Sequence, residues 1–500
     1  MIKMLLLKKS LWQSAIVSGV LVGVSYLPLN MGFLIYFGFI PIFHSWINNN
    51  SNSNFKSGLA FGIIYNLISN YWIGTNSGAE FYVVFLSLIF AVFYLGLFWA
   101  FAGYIYGHIK TTSNTYIILP FLVVSLEWIR SFGSLGFTWG NIALTQSEYI
   151  YVLQLLDFTG PYSVTFLIIS LNLFAYFFVI KKKLLIEKFR LFVLLILFVP
   201  LFGFYRVNKI KPTDKSVEVV IIQPNIDPNK KWDYSLREQT MNLMDSLYKD
   251  AIAMKPDLII FPETALPSYL KIETIIRKRL QKKVNESQIP ILIGTVDRQI
   301  DQNGAKSYFN SSMYLSPNSD FLMYDKIHLV PFAEYDLIPS ILSPLADLNL
   351  NINRGVFRKG KNYTKFKLKN LYFSNLICYE SSFPRYARRF AANGADFLTI
   401  QANDGWLGTS AGPFQHFAQA KLRAIENRIP IVRGGNTGIS GYILPTGEVI
   451  SKTLLGKQEI IKEKLSIYKA GTFYSFYGDI FAVIGFICFL FIGPVNCLKK

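Results

Sequence analysis

The chain has 500 residues, 52% of them hydrophobic and 16% aromatic, and its 50 Lys and Arg against 31 Asp and Glu give a formal charge of +19. Mean hydropathy is +0.32, and the apolar residues are gathered into long runs, which excludes an ordinary soluble domain and reads as an integral membrane protein. The basic excess does not read as nucleic-acid binding, because no basic stripe interleaved with stacking aromatics stands out and several Lys and Arg lie in short loops between apolar runs.

Lys3, Lys8 and Lys9 precede an apolar run over residues 11–29. A signal peptide would show a small-residue cleavage site followed by polar sequence; here a second apolar segment follows almost at once, so the run is read as the first span. Further spans are predicted over 32–47, 57–74, 81–109, 115–129, 162–180 and 189–205, and an eighth over 479–498, each near the length a helix needs to cross hydrocarbon. With the N-terminus in the cytoplasm, the cytoplasmic loops carry Lys56, Lys110, Lys181, Lys182, Lys183, Lys188 and Arg190, with Lys499 and Lys500 at the end. The opposite loops, 75–80 and 131–160, are nearly free of Lys and Arg, so the positive-inside rule puts the long polar region outside the cytoplasm. The predicted organisation is seven transmembrane helices in 1–207, an extracytoplasmic domain in 208–475, and an eighth helix with a cytoplasmic tail in 476–500.

One outer loop, GSLGFTWGNIALTQ over 133–146, is mildly apolar and Gly-rich, and its Trp139 suits the membrane interface. Just before it, Glu127 and Arg130 are three apart at a predicted helix end, spaced to pair or to form a site at membrane depth.

Over 217–465 the pattern changes. Short β-like runs (217–223, 257–262, 290–296, 311–317, 371–379, 396–402) alternate with helical or loop segments, including helical candidates 235–254, 272–287 and 413–427. This alternation predicts a layered α/β domain rather than a β-sandwich.

Three reactive residues punctuate the strand ends. Glu263 lies in FPETALP, where two prolines stiffen the turn; Lys326 lies in YDKIHLVPFAEY among apolar neighbours; Cys378 ends the run LYFSNLICY. Each has an ordinary reading alone, as a surface acid, a solvated Lys and a small core thiol. Together they supply acyl transfer. A thiol with an unperturbed pKa of about 8.5 needs a base or a nearby cation at neutral pH, and Glu263 can be that base and Lys326 that cation. The ammonium can also stabilise the oxyanion of an attacked carbonyl.

The motifs FPET (261–264), DKIHLVPFAEY (325–335), ICYES (377–381), NDGWLG (403–408) and GPFQHFAQAKLRAIENR (412–428) resemble the nitrilase superfamily and its Glu-Lys-Cys triad. Over the whole chain, GFTWGN after Glu127-Trp128-Ile129-Arg130 and the stretch from Gln223 to Lys231-Trp232 resemble the apolipoprotein N-acyltransferase family, the membrane-embedded branch of that superfamily. Thr138, where that family often has Pro, and Leu407, where it usually has Phe, depart from its pattern.

The resemblance implies a multi-span helical bundle of the bacterial inner membrane carrying an αββα sandwich on its periplasmic side. It implies transfer of a fatty acyl chain from a phospholipid to Cys378 as a thioester, and then to the α-amino group of an apolipoprotein's diacylglyceryl cysteine. Glu263 would move the protons, Glu334 would support Lys326, and Tyr379 and Glu380 would shape the wall beside the nucleophile. Trp232, Trp406 and Trp139 would bind or support substrate. Keeping two lipid substrates at the bilayer avoids drawing acyl chains through water, at about 0.8 kcal/mol per CH₂. No cofactor is implied, and the four His, at 44, 108, 328 and 416, lack metal-ligand spacing. Two rival readings remain: a membrane-tethered amidase acting on a small amide with the same triad, and a transporter or scaffold whose outer domain only binds ligands. Leu337, Ile338, Ile341, Leu342 and Leu345, interrupted by Pro339 and Pro344, are read as a mobile arm that touches the bilayer and the acyl chains, or else as part of the domain core.

Overall fold

In the computed structural model, which describes residues 10–110, 115–178, 186–300, 304–335 and 357–497, Pro41 breaks the second apolar segment into pieces. Proline has no N–H, and its ring clashes with the carbonyl four residues earlier, so Ile35–Gly38 and Ile40–Asn48 are separate helical stretches. Side chains satisfy the backbone groups freed at the break. Phe39 N donates to Asn172 Oδ1 at 3.0 Å, Ile42 N donates to Ser18 Oγ at 2.9 Å, and Asn172 Nδ2 donates to the Ile35 carbonyl at 2.9 Å. A broken helix amid apolar surroundings needs such internal partners, because lipid offers none.

The chain divides into two units. The first comprises residues 1–74, 84–209 and 477–500, and its described residues include the helices α1 (Leu11–Val24), α2 (Ile40–Asn48), α3 (Ser51–Asn70), α4 (Phe81–Ile109), α5 (Leu119–Arg130), α6 (Tyr162–Tyr176), α7 (Ile186–Lys209) and α12 (Ile480–Cys497). Ser10 and Gln13 form a reciprocal cap at the start of α1, and Asn50 Oδ1 accepts from Ser53 N at the start of α3, so these helices begin where polar side chains can serve the orphan N–H groups. Among the described residues, one helix, α4, is by itself long and apolar enough to cross a membrane; several others are shorter and apolar. Phe81, Phe85, Leu86, Ile89, Phe90 and Phe93 are exposed along α4, a face too apolar for water.

Glu127 and Arg130, both buried, lie 3.9 Å apart, but their shorter contacts go to the loop that follows. Glu127 Oε1 accepts from Ile142 N at 2.7 Å and its Oε2 from Thr165 Oγ1 at 2.6 Å, while Arg130 donates to the carbonyls of Phe137 at 3.1 Å and Gly140 at 3.0 Å. The pair braces the loop rather than only itself. Within that loop Trp139 is buried, its ring 4.8 Å from Trp72.

The second unit comprises residues 75–83 and 210–476, so the short connection between α3 and α4 groups with the α/β domain. Its strands are β1 (Pro212–Gln223), β2 (Leu258–Ile260), β3 (Ile291–Ile300), β4 (Lys306–Leu315), β5 (Leu322–Asp325), β6 (Phe366–Leu368), β7 (Leu371–Ile377), β8 (Phe397–Ala402), β9 (Ile431–Gly435), β10 (Gly441–Ile443), β11 (Val449–Lys452) and β12 (Glu459–Tyr468). They form two six-stranded sheets, ordered β12-β1-β2-β3-β4-β5 and β11-β10-β9-β8-β7-β6. Strands β1, β2 and β3 run parallel through α8 (Arg237–Ala253) and α9 (Thr274–Ser287); β7, β8 and β9 run parallel through α10 (Pro384–Ala392) and α11 (Ala411–Asn427). Met244, Leu247, Leu280 and Val284 of the first helix pair pack on Val220, Ile259 and Ile291, each fully buried aliphatic side chain contributing about 1.5–3 kcal/mol. The layering is helix, sheet, sheet, helix.

Polar side chains lock the sheets together. Asn375 Nδ2 of β7 donates to Ser312 Oγ of β4 at 2.7 Å, and Gln223 Oε1 at the end of β1 accepts from Ser440 Oγ at 2.6 Å and Thr453 Oγ1 at 2.7 Å. A sheet displaced by one residue would bury these groups without partners. Strand β4 begins at Lys306, five residues before its apolar pattern, because the antiparallel ladder with β3 continues from Ile291↔Leu315 out to Ile300↔Lys306. The apolar stretch Leu337–Leu345 lies outside the described residues, as do Lys3, Lys8, Lys9, Lys181, Lys182, Lys183, Lys499 and Lys500.

Candidate active site

Glu263, Lys326 and Cys378 each stand just past the carboxyl end of a strand: three residues after β2, one after β5 and one after β7. Such ends are where side chains leave a sheet for a cleft. The backbone bends sharply at Cys378 and just after Glu263. Thr264 has φ +43° and Cys378 φ +50°, left-handed conformations that cost a non-glycine residue of order 1 kcal/mol or more. Strand β7 therefore stops at Ile377, and Cys378 opens a short 3₁₀ turn through Ser382 instead of ending the strand. The turn at Glu263 depends on Gly294 in β3: a Cβ there would lie 2.4 Å from the Pro262 carbonyl oxygen and 2.6 Å from Glu263 Cα.

Lys326 is buried, and its Nζ donates to Glu334 Oε1 at 2.9 Å and lies 3.7 Å from Glu263 Oε1. Burial alone would favour loss of its proton, but the charges of Glu334 and Glu263 hold its pKa far above the ordinary lysine value. The site thus keeps a fixed ammonium. For Cys378 the balance runs the other way. Burial and the Glu263 charge push the thiol up, with Lys326 opposing.

Glu334 also accepts from Val330 N at 2.7 Å through Oε2, which pins its own loop. Glu380 is fully buried in the turn after Cys378. Its Oε1 accepts from the backbone N–H of Ile327 at 2.9 Å and of His328 at 3.1 Å, and its Oε2 from Ile377 N at 3.1 Å and the Tyr324 hydroxyl at 2.6 Å. One carboxylate thus clamps the segment after Lys326 to the turn that carries Cys378. Tyr379 is buried with its ring edge-on to Phe383 at 5.2 Å.

The tryptophans divide. Trp232 is half-exposed beside Tyr269, with ring centroids 5.9 Å apart. Trp406 lies in the turn Asp404–Leu407, where its carbonyl accepts from Ser77 N at 2.9 Å. Trp139 belongs to the helical unit and not to the unit that holds Glu263, Lys326 and Cys378.

Sequence reasoning missed several residues. Asn310 in β4 donates from Nδ2 to Glu263 Oε1 and to Glu334 Oε1, each at 2.7 Å. Its signal was a polar residue at the mouth of an apolar strand run. Lys231 is buried, donates from Nζ to the Thr264 carbonyl at 2.9 Å, and has its pKa lowered by burial to about 8 against the opposing charge of Glu263. Only its place before Trp232 hinted at it. Asp404 and His416 come together with Cys378, the Cys sulfur, a carboxylate oxygen and a ring nitrogen all within 4.8 Å of one another. Asp404 pairs with His416 and with Arg433, which supplies the positive charge a metal ion would.

Among known proteins, the carbon-nitrogen hydrolase family matches residues 219–473, and the apolipoprotein N-acyltransferase N-terminal domain family matches residues 18–174. The apolipoprotein N-acyltransferase of Geobacter metallireducens is 30% identical over 482 residues, covering 94% of this chain and 92% of that protein. That of Rickettsia prowazekii is 31% identical over 452 residues, covering 87% and 88%. A mutant of the Nesterenkonia AN1 amidase from the nitrilase superfamily aligns over 51% of this chain and 92% of its own, with 16% identity and a TM-score of 0.38. The paired sheets and the match over 219–473 define a carbon-nitrogen hydrolase domain. With its helical part matched as well, the chain belongs to the apolipoprotein N-acyltransferase family.

Proposed function

We propose that this chain, an N-acyltransferase of lipoproteins, works by a two-step transfer through Cys378. In the first step Glu263 takes the thiol proton as Sγ attacks an ester carbonyl of a membrane phospholipid, and Lys326 faces the developing oxyanion. The tetrahedral intermediate collapses, the ester C–O bond breaks, and Glu263 returns the proton to the leaving lyso-phospholipid alcohol. In the second step the α-amino group of an apolipoprotein's diacylglyceryl cysteine attacks the thioester carbonyl. Glu263 takes a proton from the amine, the C–S bond breaks, and the thiol is restored by that proton.

The observation that carries this reading is the buried Lys326 ammonium held between Glu334 and Glu263, with Glu380 tying the segment after Lys326 to the turn of Cys378. Glu334 is the support that keeps the ammonium in place, and Trp232 and Trp406 are substrate-side residues. The spans predicted from 11–29 to 479–498 cross the bacterial inner membrane, with the catalytic domain on the periplasmic side, a topology supported by the Lys and Arg in the loops. The exposed apolar face of α4 suits lipid.

Intact mass of the purified protein after incubation with phospholipid vesicles tests the proposal. A fatty-acyl adduct on Cys378, discharged when a diacylglyceryl-cysteine peptide is added, is expected. Absence of the adduct, with hydrolysis of small amides instead, would favour the membrane-tethered amidase.

A further inference from the structure

The nucleophile turn is tied to a second buried charge system that takes no part in the proton transfers above. Asp404 follows β8, His416 lies in the second turn of α11, and Arg433 is in β9; all three side chains are buried. Asp404 Oδ2 accepts from Arg433 Nη2 at 2.7 Å, and its Oδ1 lies 2.6 Å from His416 Nδ1. Arg433 Nη2 also lies 3.0 Å from His416 Nδ1, so the carboxylate and the guanidinium together hold the ring in one orientation. That orientation aims Nε2 at the nucleophile turn, 3.0 Å from Ser381 Oγ and 3.1 Å from the Cys378 carbonyl oxygen. Ser381 Oγ in turn donates to that same carbonyl at 2.8 Å.

Two features make this a built arrangement. A Cβ at Gly438 would lie 2.2 Å from Asp404 Oδ2, so only glycine lets the carboxylate seat against Arg433. Cys378 is itself in a left-handed conformation that must be held by its surroundings, and its carbonyl is the atom on which Ser381 and His416 converge. Asp404 also stands two residues before Trp406, in the same short turn.

We infer that His416, oriented by Asp404 and Arg433, is a positioning residue for the nucleophile: with Ser381 it holds the strained Cys378 turn, and through Asp404 it couples the Trp406 turn to the aim of the thiol. The inference rests on Cys378 being the acyl carrier. Misplacing a reacting group by about an ångström costs roughly 10²-fold in rate, so the effect falls on the chemical step.

The test uses the full-length protein in phospholipid nanodiscs, comparing wild type with His416→Gln, Asp404→Asn and the milder Ser381→Ala. Single-turnover formation of the acyl adduct on Cys378 is followed by intact mass, alongside steady-state kcat and KM for phospholipid and thermal midpoints. The expected result is an adduct-formation rate lowered about 100-fold in His416→Gln and about 10-fold in Ser381→Ala. KM should stay near the wild-type value, and Ser381→Ala/His416→Gln should be no slower than His416→Gln, because the pair acts as a unit. Should Ser381→Ala and Asp404→Asn fold and acylate at the wild-type rate, or should the rate losses multiply, the inference is overturned. Wild-type protein that turns over without any adduct on Cys378 would remove the two-step reading itself, a result distinct from variant losses against an acylating wild type.

Discussion

Asn310 spends both N–H groups of its amide on carboxylates, one on Glu263 and one on Glu334, at 2.7 Å each. Its orientation follows from that: flipped, the amide oxygen would face two acceptors. The two acids on either side of Lys326 are thus held by the ammonium from one direction and by a neutral donor from another. Asn310→Ala should release Glu263 and lower acyl-enzyme formation by about 10²-fold, the scale of a misplaced catalytic group. Asn310→Asp, of similar size, adds a third carboxyl group to the cluster and should be slower still. A rate in Asn310→Asp at or above that of Asn310→Ala would show that the amide does not organise the acids.

Cys378→Ser should give no thioester and no turnover, because the thiolate is both attacking group and acyl carrier. Lys326→Arg keeps a charge but replaces a compact ammonium, fitted between Glu334 and Glu263, with a planar fork, so adduct formation should fall to a few per cent of wild type or less. Near-normal adduct yield in Lys326→Arg, measured by intact mass, would count against a positioned cation.

Gly294→Ala tests the turn that carries Glu263 without touching any reacting group. The added methyl would sit within 2.4–2.6 Å of backbone at Pro262, Glu263 and Thr264, so the turn must move. Overpacking of this kind costs about 1–3 kcal/mol, which should appear as a thermal midpoint several degrees lower in detergent. Acylation should fall roughly 10²-fold. Alkylation of Cys378 by a small thiol reagent should still go to completion, and its failure would mean that the damage extends beyond the Glu263 turn.

His328 offers a pH prediction. Burial, with the charges of Arg385, Lys359 and Lys326, lowers its pKa to about 3, while the unfolded chain has the ordinary value near 6.5. Between those values the unfolded state binds a proton that the folded state does not, so stability is highest above about pH 6.5 and is lost as pH falls. The slope for one proton is at most about 1.4 kcal/mol per pH unit. Thermal midpoints from pH 7 to pH 4.5, above the range where most carboxylates titrate, should fall for wild type and flatten in His328→Gln. Parallel curves for the two proteins would assign the acid sensitivity elsewhere.

Much of this protein is local in its chain. Long apolar runs, the change to short alternating strands near residue 217, and the placing of Glu263, Lys326 and Cys378 after β-prone segments all follow from hydrophobic periodicity and turn chemistry, which neighbouring residues decide among themselves. So does the break at Pro41, since a missing N–H acts on its own helix, although a run of apolar residues conceals it.

What neighbours in sequence cannot decide is which polar groups meet once the sheets pack. Asn310 reads as one polar residue in a strand until packing brings Glu263 and Glu334, 47 and 24 positions away, onto its amide. Glu380 reads as a strand-end charge until Ile327 and His328, more than 50 positions earlier, turn their N–H groups toward it. Helix α11 is buried along its whole length except Phe414, so His416, which lacks ligand spacing in the sequence, acquires Asp404, Ser381 and the Cys378 carbonyl as neighbours. Local chain chemistry dictates which chemical groups stand at the strand ends. Their partners were decided only in three dimensions, because a buried polar group must find a hydrogen bond wherever the fold brings one, and the cost of leaving it unpaired selects among distant residues.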